Sequence, residues 1–159
     1  MKTTKTNAAR LLDQAGIGYE LASYEVDESD LSAGHVADRL GRPIDQVFKT
    51  LVLRGNVTGN FVCIIPGGDE LDLKKAARIS GNKNCDMIPM KQLQSVTGYI
   101  RGACSPIGMK KRFPTFLHET CELFETIYIS AGLRGLQLRI APADLIAMTG
   151  AVIGDLVVE

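Results

Sequence analysis

The chain has 159 residues, of which 45% are hydrophobic and 23% charged, and its 18 basic side chains balance 18 acidic ones. This composition excludes a disordered chain and is typical of one globular domain, which we expect to span residues 1–159. A net charge of zero also excludes a strong overall field for attracting a polyanion, so any basic site must be local. The sequence shows neither an apolar leader nor a membrane-length apolar segment, which predicts a cytoplasmic protein without a membrane partner.

The predicted elements of the first half alternate between helices and strands. "NAARLLDQA" has apolar residues at helical spacing and runs into Gly16, a favourable helix stop. "YELASYEV" predicts a strand, and a short helix follows from His35 to Leu40. The apolar stretch "VFKTLVL" then predicts a strand containing Lys49, and "FVCIIP" predicts its hairpin partner across the turn "RGNVTGN".

The second half continues with shorter elements. Asp72 is predicted to cap the helix "LKKAARIS", "NCDMI" to form a short strand, and another helix to run from Pro89 to its stop at Gly98. The glycine-rich segment "TGYIRGACSPIGMKKR" predicts a loop. Strands are predicted at "FPTFLHE", "ETIYIS" and "LQLRI", with "AGLRG" as the last turn, before the helix "PADLIAM" and the closing segment "AVIGDLVV". This order favours a mixed α/β fold, with a barrel-like twisted sheet and several peripheral helices.

Lys49 is the first candidate functional residue, because it interrupts an apolar strand. In an extended chain it shares one face with Val47 and Leu51. An ammonium removed from water must find an anion or lose its proton, so either outcome indicates a site. The alternative is structural: the side chain reaches the sheet edge or pairs with a carboxylate such as Asp45 or Glu70.

The loop "GACSP", Gly102 to Pro106, is the second candidate. A flexible glycine and a stiff proline enclose backbone N–H groups that are able to converge on an oxyanion or a phosphate, although an ordinary surface turn has the same pattern. Two basic clusters flank this region: Lys74, Lys75 and Arg78, and Lys110, Lys111 and Arg112. We favour the second cluster for phosphate contacts because it adjoins the loop.

The four cysteines do not predict a metal site. They are far apart, without a CxxC pair or a nearby pair of histidines, so we expect neither a metal nor another cofactor. Cys63, Cys85 and Cys121 are predicted to be reduced thiols in the core. Cys104 belongs to the "GACSP" loop, and its role is left open.

Several of these motifs occur together in one known family. "FKTLV", "LDLKKAA", the span from "SVTGY" to "KKR", "ETIYIS" with the following "RGL", and "APADL" stand in this order along nearly the whole chain. On these motifs the chain resembles the YbaK/EbsC family of stand-alone prolyl-tRNA editing domains. The resemblance implies a mixed α/β, barrel-like domain that removes cysteine from mischarged Cys-tRNA(Pro), or from Cys-tRNA(Cys).

The resemblance also implies a mechanism and partners. The substrate's own thiol attacks the ester carbonyl, so the enzyme needs neither a nucleophile nor a metal. The 3′ aminoacyl-adenosine end of the tRNA is the expected partner, recognised alone or together with prolyl-tRNA synthetase in a ternary complex. Three departures from the family pattern, Ala33, Ala103 and Gln137, leave two alternatives open: a deacylase for another small residue, such as Ala-tRNA(Pro), and a non-catalytic RNA-binding domain.

The site residues implied by the resemblance fall into two groups. The catalytic group is Lys49 together with the Gly102 to Pro106 loop, of which Gly102, Ser105 and Pro106 are the expected working positions. The group expected to contact tRNA or substrate comprises Tyr24, Thr50, Ala103, Cys104, Lys110, Lys111, Ser130, Arg134 and Gln137.

Overall fold

The computed structural model describes residues 5–159. Its α-helices in this range are α1 (Asn7–Gln14), α2 (Ala33–Leu40), α3 (Leu73–Ser80), α4 (Leu93–Thr97) and α5 (Pro142–Thr149). Its strands in the same range are β1 (Glu20–Ser23), β2 (Phe48–Gly55), β3 (Gly59–Pro66), β4 (Cys85–Met87), β5 (Thr115–His118), β6 (Ile127–Leu133), β7 (Leu136–Ile140) and β8 (Val152–Gly154). None of the helices within residues 5–159 is long and apolar enough to cross a membrane.

The strands form two hydrogen-bonded sheets. The larger sheet has the order β4-β2-β3-β5-β8, with β3, β5 and β8 parallel to one another, and the smaller antiparallel sheet has the order β1-β7-β6. A parallel bridge between Val47 and Tyr128 joins β2 to β6 where the two sheets meet. The prediction of a mixed α/β fold is confirmed; in the described chain the twisted strands divide into two sheets and do not close into one barrel.

Successive side chains of β2 point to opposite faces of the sheet and so pack into two different hydrophobic cores. Phe48 and Val52 face the smaller sheet and pack with the apolar residues of β6 and β7. Leu51 and Leu53 face the other way, into the cluster beneath α3. The predicted assignment of these residues to opposite faces is therefore confirmed, and Lys49 is the second residue of the strand.

Local sequence signals explain most element boundaries. Asp72 caps α3, because its carboxylate accepts hydrogen bonds from the backbone N–H groups of Lys74 and Lys75 at 2.9 and 3.1 Å. The helix ends at Gly81, whose φ of 82° lies in the left-handed region that favours glycine. The hairpin of β2 and β3 was also predicted correctly, with Phe48 opposite Pro66 and Gly55 opposite Gly59.

Several boundaries differ from the sequence prediction, and two of them affect the smaller sheet. The strand predicted at "YELASYEV" is shorter, because only Glu20–Ser23 pairs with β7. The turn predicted at "AGLRG" is reduced to Arg134 and Gly135, because β6 continues to Leu133 through a bulge. Gly132, with φ 104°, provides the backbone conformation of that bulge, and its N–H donates to the Ser130 hydroxyl at 3.1 Å.

Candidate active site

A cavity of about 390 Å³ lies where the two sheets meet. Six of the residues predicted from the sequence line it: Lys49, Thr50, Gly102, Cys104, Ser130 and Gln137. β2 supplies the first two of them, β6 and β7 supply the last two, and the loop after α4 supplies the middle pair. Residues that are far apart in the chain thus form one concave site whose volume is typical of small-molecule pockets.

The Lys49 side chain reaches this cavity as a half-buried ammonium. Its Nζ donates to the Gly67 carbonyl oxygen at 3.2 Å, and within residues 5–159 no carboxylate lies within 4 Å of it. Burial lowers the pKa of Lys49, and the more distant carboxylates of Asp69 and Glu70 partly oppose that shift. Because an ammonium has three N–H donors, this geometry leaves donors for an anionic or carbonyl oxygen in the cavity.

Two of the residues that line the cavity each have a buried polar atom without a hydrogen-bond partner among the described residues. Thr50 Oγ1 and Gln137 Oε1 are buried, and neither has a partner in the described part of the chain. The Gln137 side chain stands on a central strand, β7, and the residue is only 5% exposed. Because more than nine in ten buried polar atoms in folded proteins are paired, two unpaired atoms in residues that line one cavity are unusual.

The loop at the cavity mouth makes a turn at Gly102, where φ is 83°. The Ala103 N–H donates to the Ile100 carbonyl oxygen at 3.0 Å, whereas the N–H groups of Gly102 and Cys104 have no acceptor among the described residues. A Cβ at position 102 would lie 3.3 Å from both Arg134 and Leu31, so a side chain there would be crowded as well as strained. This loop therefore offers two backbone donors beside Lys49.

Two side chains brace the loop from outside the cavity. Arg134 Nε donates to the Arg101 carbonyl oxygen at 2.9 Å, and Arg134 Nη1 pairs with Glu28 at 2.6 Å. The Tyr99 hydroxyl donates to the Ile107 carbonyl oxygen at 2.5 Å, which ties the two ends of the loop together. Burial raises the pKa of Tyr99 to about 12, so this hydroxyl keeps its proton at neutral pH.

Cys104 lines the cavity but is not activated as a nucleophile. Burial raises the pKa of its thiol to about 12, so the thiolate is scarce near neutral pH. Cys63, Cys85 and Cys121 are buried and unpaired, as predicted. Among the described residues no three His, Cys, Asp or Glu side chains are grouped as metal ligands.

The remaining predicted site residues lie outside this cavity. Ala103 and Ser105 are buried within the loop, where the Ser105 hydroxyl accepts from the Ile107 N–H at 3.2 Å. Pro106 and Lys111 line a separate cavity of about 280 Å³ on the far side of the loop. Lys110 is exposed, and its Nζ lies 3.5 Å from the Ser95 carbonyl oxygen.

Tyr24 is also separated from the cavity. It packs beside α2, where its ring stands edge-on to that of His35 with 6.5 Å between the ring centroids. Its backbone N–H donates to the Gly135 carbonyl oxygen, which joins it to the turn that carries Arg134. Tyr24 and Arg134 thus support the walls of the site from outside.

Several lining residues were not predicted from the sequence. These are Leu31, Ser32, Val36, Val47, Phe48, Leu51, Gly67, Met90, Leu93 and Arg101, whereas Ala33, which departs from the family pattern, also lines the cavity. Most are apolar, so nothing distinguishes them in the sequence from ordinary core residues. Arg101 did carry a signal, because it immediately precedes Gly102 and brings a second cation to the cavity.

Comparison with known proteins gives the family of the chain and agrees with its fold. The model of the aminoacyl-tRNA editing domain family matches residues 28–148. EbsC of Enterococcus faecalis, provisionally named a Cys-tRNA(Pro)/Cys-tRNA(Cys) deacylase, is 49% identical over 145 residues, which cover 91% of this chain and 88% of EbsC. The chain therefore belongs to the aminoacyl-tRNA editing domain family, as its motifs predicted.

Two solved structures share the fold. One is a protein provisionally described as a trans-editing enzyme for prolyl-tRNA synthetase; it has a TM-score of 0.84 and 25% identity, with 98% of this chain and 100% of that chain covered. The other, the hypothetical protein APE2540, also has a TM-score of 0.84, at 20% identity, with 92% of this chain and 96% of that chain covered. The similarity extends over nearly the whole of both chains, so it concerns the complete fold.

Proposed function

We propose that this protein is an editing deacylase that removes cysteine from mischarged Cys-tRNA(Pro). The observation that carries the proposal is the Lys49 ammonium, which has no carboxylate partner within 4 Å among the described residues. It shares one cavity with Gly102 and Cys104, whose N–H groups have no acceptor among the described residues, and with Thr50, Ser130 and Gln137. Family membership and the name of EbsC support the same reaction class.

The cavity suits the 3′ end of a charged tRNA. Lys49 and Arg101 supply positive charge in a protein whose net charge is zero, so the attraction for phosphate is concentrated at the site. Phosphate contacts of this kind position an RNA without reading its sequence. The aminoacyl group then enters the inner part of the cavity, where Gln137 and Thr50 provide polar contacts.

The chemical step requires little from the protein, because an aminoacyl ester is already activated. A cysteine thiol has a pKa of about 8.5, so a few per cent is thiolate at neutral pH. The sulfur attacks its own ester carbonyl, the bond between that carbon and the ribose 3′ oxygen breaks, and the thiol proton ends on that oxygen. The acyl group leaves as a thiolactone, which water opens to cysteine.

The loop and Lys49 accelerate this step in two ways. The loop stabilises the negative charge that develops on the carbonyl oxygen, and Lys49 fixes the position of the reacting groups. The N–H groups of Gly102 and Cys104 are donors for the oxyanion that develops at the carbonyl. Lys49 fixes the terminal nucleotide, so that the thiol and the carbonyl remain close together. In this proposal Cys104 contributes its N–H, while its thiol, with a pKa raised to about 12, remains neutral.

The size of the cavity limits which aminoacyl side chains can enter it. A space of about 390 Å³ that also holds part of the terminal adenosine leaves room for a small aminoacyl side chain and excludes a bulky one. A synthetase pocket discriminates poorly between side chains of similar size, so a second site that rejects the wrong product improves fidelity. We propose that prolyl-tRNA synthetase delivers the tRNA, because beyond the cavity the described chain offers the tRNA body only small groups of exposed basic residues, such as Lys110, Lys111 and Arg112.

A deacylation assay tests the proposal. The purified protein is incubated with Cys-tRNA(Pro), Ala-tRNA(Pro) and Cys-tRNA(Cys), and loss of the ester is followed for each. We expect Cys-tRNA(Pro) to lose its ester far faster than Ala-tRNA(Pro), which has no thiol. A Ser-tRNA(Pro) substrate should also react slowly, and equal rates for serine and cysteine would contradict attack by the substrate thiol. Binding without loss of any ester would establish the RNA-binding alternative instead.

A further inference from the structure

One long segment of the chain has basic side chains and no acidic ones. Residues 87–118, which we call the basic segment, contain Lys91, Arg101, Lys110, Lys111 and Arg112 but neither aspartate nor glutamate. Because the whole chain is neutral and these five charges are positive, the remainder of the chain carries a net charge of −5. The neutrality of the protein therefore conceals one region of positive charge.

Neighbouring side chains do not neutralise the charges of the basic segment. All five of its basic residues are exposed, and none of them forms an ion pair in the described part of the chain. The basic cluster on α3 differs, because Lys75 pairs with Asp155 at 2.8 Å and with Glu159 at 3.6 Å. An anion that approaches the basic segment thus meets uncompensated cations, whereas carboxylates accompany the cations of α3.

The basic segment leads away from the cavity over α4. Arg101 is exposed and lines the cavity, and Leu93 lines it from the first residue of α4. Lys110 packs against the other end of this helix: its backbone N–H donates to the Thr97 carbonyl oxygen at 3.1 Å, and its Nζ lies 3.5 Å from the Ser95 carbonyl oxygen. Because a helix rises about 1.5 Å per residue, the two ends of α4 are only about 6 Å apart.

A second segment at the cavity has the opposite charge. Residues 20–34, which we call the acidic segment, contain five acidic residues and no basic one, and they supply three of the lining residues. Four exposed acidic residues directly precede these lining residues in the chain: Glu25, Asp27, Glu28 and Asp30. Among the described residues only Glu28 of these four has an ion-pair partner, Arg134. A polyanion is therefore repelled by this segment and attracted by the basic one.

We propose that the acceptor strand of the tRNA leaves the cavity along the basic segment, where phosphates next to the terminal adenosine contact Lys110 and Lys111, and that the acidic segment keeps the strand from crossing its part of the rim. This inference rests on the proposed function, because the bound ester fixes the position of the terminal adenosine. A stacked strand has one phosphate about every 3.4 Å along its axis, so the length of α4 corresponds to about two nucleotides. The contacts therefore concern the unpaired 3′ end and position it without reading its sequence.

The test compares Cys-tRNA(Pro) with 3′-O-cysteinyl-adenosine, which has the ester but no phosphate. For each substrate kcat/KM is measured with the protein alone at salt concentrations from about 50 to 200 mM. In the double variant Lys110→Gln/Lys111→Gln, kcat/KM for the tRNA should fall about tenfold at the lowest salt concentration, through KM rather than kcat. The slope of log kcat/KM against log salt concentration should become less steep by about 0.7 for each lysine removed. The adenosine ester should react as it does with the unmodified protein.

Two control variants separate the path of the strand from a general effect of charge. Lys74→Gln/Arg78→Gln removes two exposed cations from α3, so the net charge changes as in the first variant while the salt dependence should stay the same. Glu25→Lys adds a cation to the acidic segment, where the strand does not pass, so the slope for the tRNA should again be unchanged. Thermal unfolding of each variant shows that the substituted proteins are folded.

Each outcome decides the inference. An unchanged slope for the tRNA in the Lys110 and Lys111 double variant overturns the inference and leaves the proposed function intact. A steeper slope for Glu25→Lys also overturns it, because the strand would then cross the acidic segment. A loss of activity that appears only when prolyl-tRNA synthetase is added would assign the basic segment to that protein and overturn the inference as well. Cleavage of neither substrate overturns the proposed function, and the inference with it.

Discussion

Two buried carboxamides in this protein have opposite surroundings. Asn82, after α3, is 8% exposed, and Gln137, on β7, is 5% exposed. The Asn82 oxygen accepts from the Val57 and Thr58 N–H groups, both at 2.9 Å, and its nitrogen donates to the hydroxyls of Thr58 and Ser80. The Gln137 oxygen has no partner among the described residues.

The difference separates a group that holds the fold from a group that is ready for a ligand. Three of the four hydrogen bonds of Asn82 fix the turn between β2 and β3, and the fourth joins it to Ser80 at the end of α3. A Cβ at Gly55 would overlap with the Asn82 side chain. Gln137 contributes no hydrogen bond through its oxygen, although that atom is buried at the cavity wall. Stability should therefore depend on Asn82, and activity on the cavity that contains Gln137.

The largest expected effect is on the cavity side and concerns Lys49. Lys49→Met should lower kcat/KM for Cys-tRNA(Pro) by about 10²–10³, because the terminal nucleotide and the developing charge lose their cation. The free energy of unfolding should not fall, since burial already disfavours the charged form of this lysine. Lys74→Met, on the exposed face of α3, is the matched control and should keep full activity. Full activity of the Lys49 variant would contradict the proposed mechanism.

The next effect is on the stability of the β2–β3 turn. Asn82→Ala leaves the N–H groups of Val57 and Thr58 without their acceptor, which should lower the free energy of unfolding by about 2–4 kcal/mol. Denaturant titration at 25 °C measures this loss, and kcat/KM measured at a temperature where the variant is folded should be unchanged. A loss of catalytic activity in the folded variant would show that the two regions are coupled.

A smaller effect is expected from Tyr99, which braces the loop. Tyr99→Phe removes the hydrogen bond to Ile107 at a cost of about 1 kcal/mol in the free energy of unfolding, and kcat/KM should fall several-fold because the loop donors become less well positioned. Tyr19→Phe is the control, because its hydroxyl bonds to Asp13 on the exposed side of α1. Equal activity of the two variants would mean that the brace does not position the loop.

The smallest effect on stability should come from Gln137. Gln137→Met replaces the unpartnered carboxamide with an apolar chain of similar length, so the free energy of unfolding should change by less than about 0.5 kcal/mol or increase. Thermal and denaturant unfolding, measured beside Asn82→Ala, give the contrast directly. A loss as large as that of the Asn82 variant would mean that Gln137 supports the fold and that the comparison is wrong.

Much of the fold was predictable because local signals decide it. Asp72, Gly81 and the "RGNVTGN" turn fixed the boundaries of α3 and of the β2–β3 hairpin. The arrangement of the strands into two sheets was not predictable, because it depends on long-range contacts such as the Val47–Tyr128 bridge. The bulge after Ser130 was missed because the sequence "AGLRG" suits a turn as well as an irregular strand.

The site was predictable in part. The position of Lys49 on an apolar strand was a physical signal, and the family motifs pointed to Gly102, Thr50, Ser130 and Gln137, which line the same cavity. The bracing role of Arg134 could not be predicted, because it depends on the positions of Glu28 and of the Arg101 carbonyl oxygen, which the fold alone determines. The absence of a hydrogen-bond partner at Gln137 likewise has no signature in the sequence.

The most direct test of the account is a crystal structure of the protein with a cysteinyl-adenosine in which an amide replaces the ester, so that it cannot be cleaved. We expect the analogue to fill the cavity that Lys49, Gly102, Ser130 and Gln137 line, with the Lys49 ammonium donating to its carbonyl oxygen. An analogue bound elsewhere, or bound in the cavity without contact to Lys49 Nζ, would contradict the proposed function.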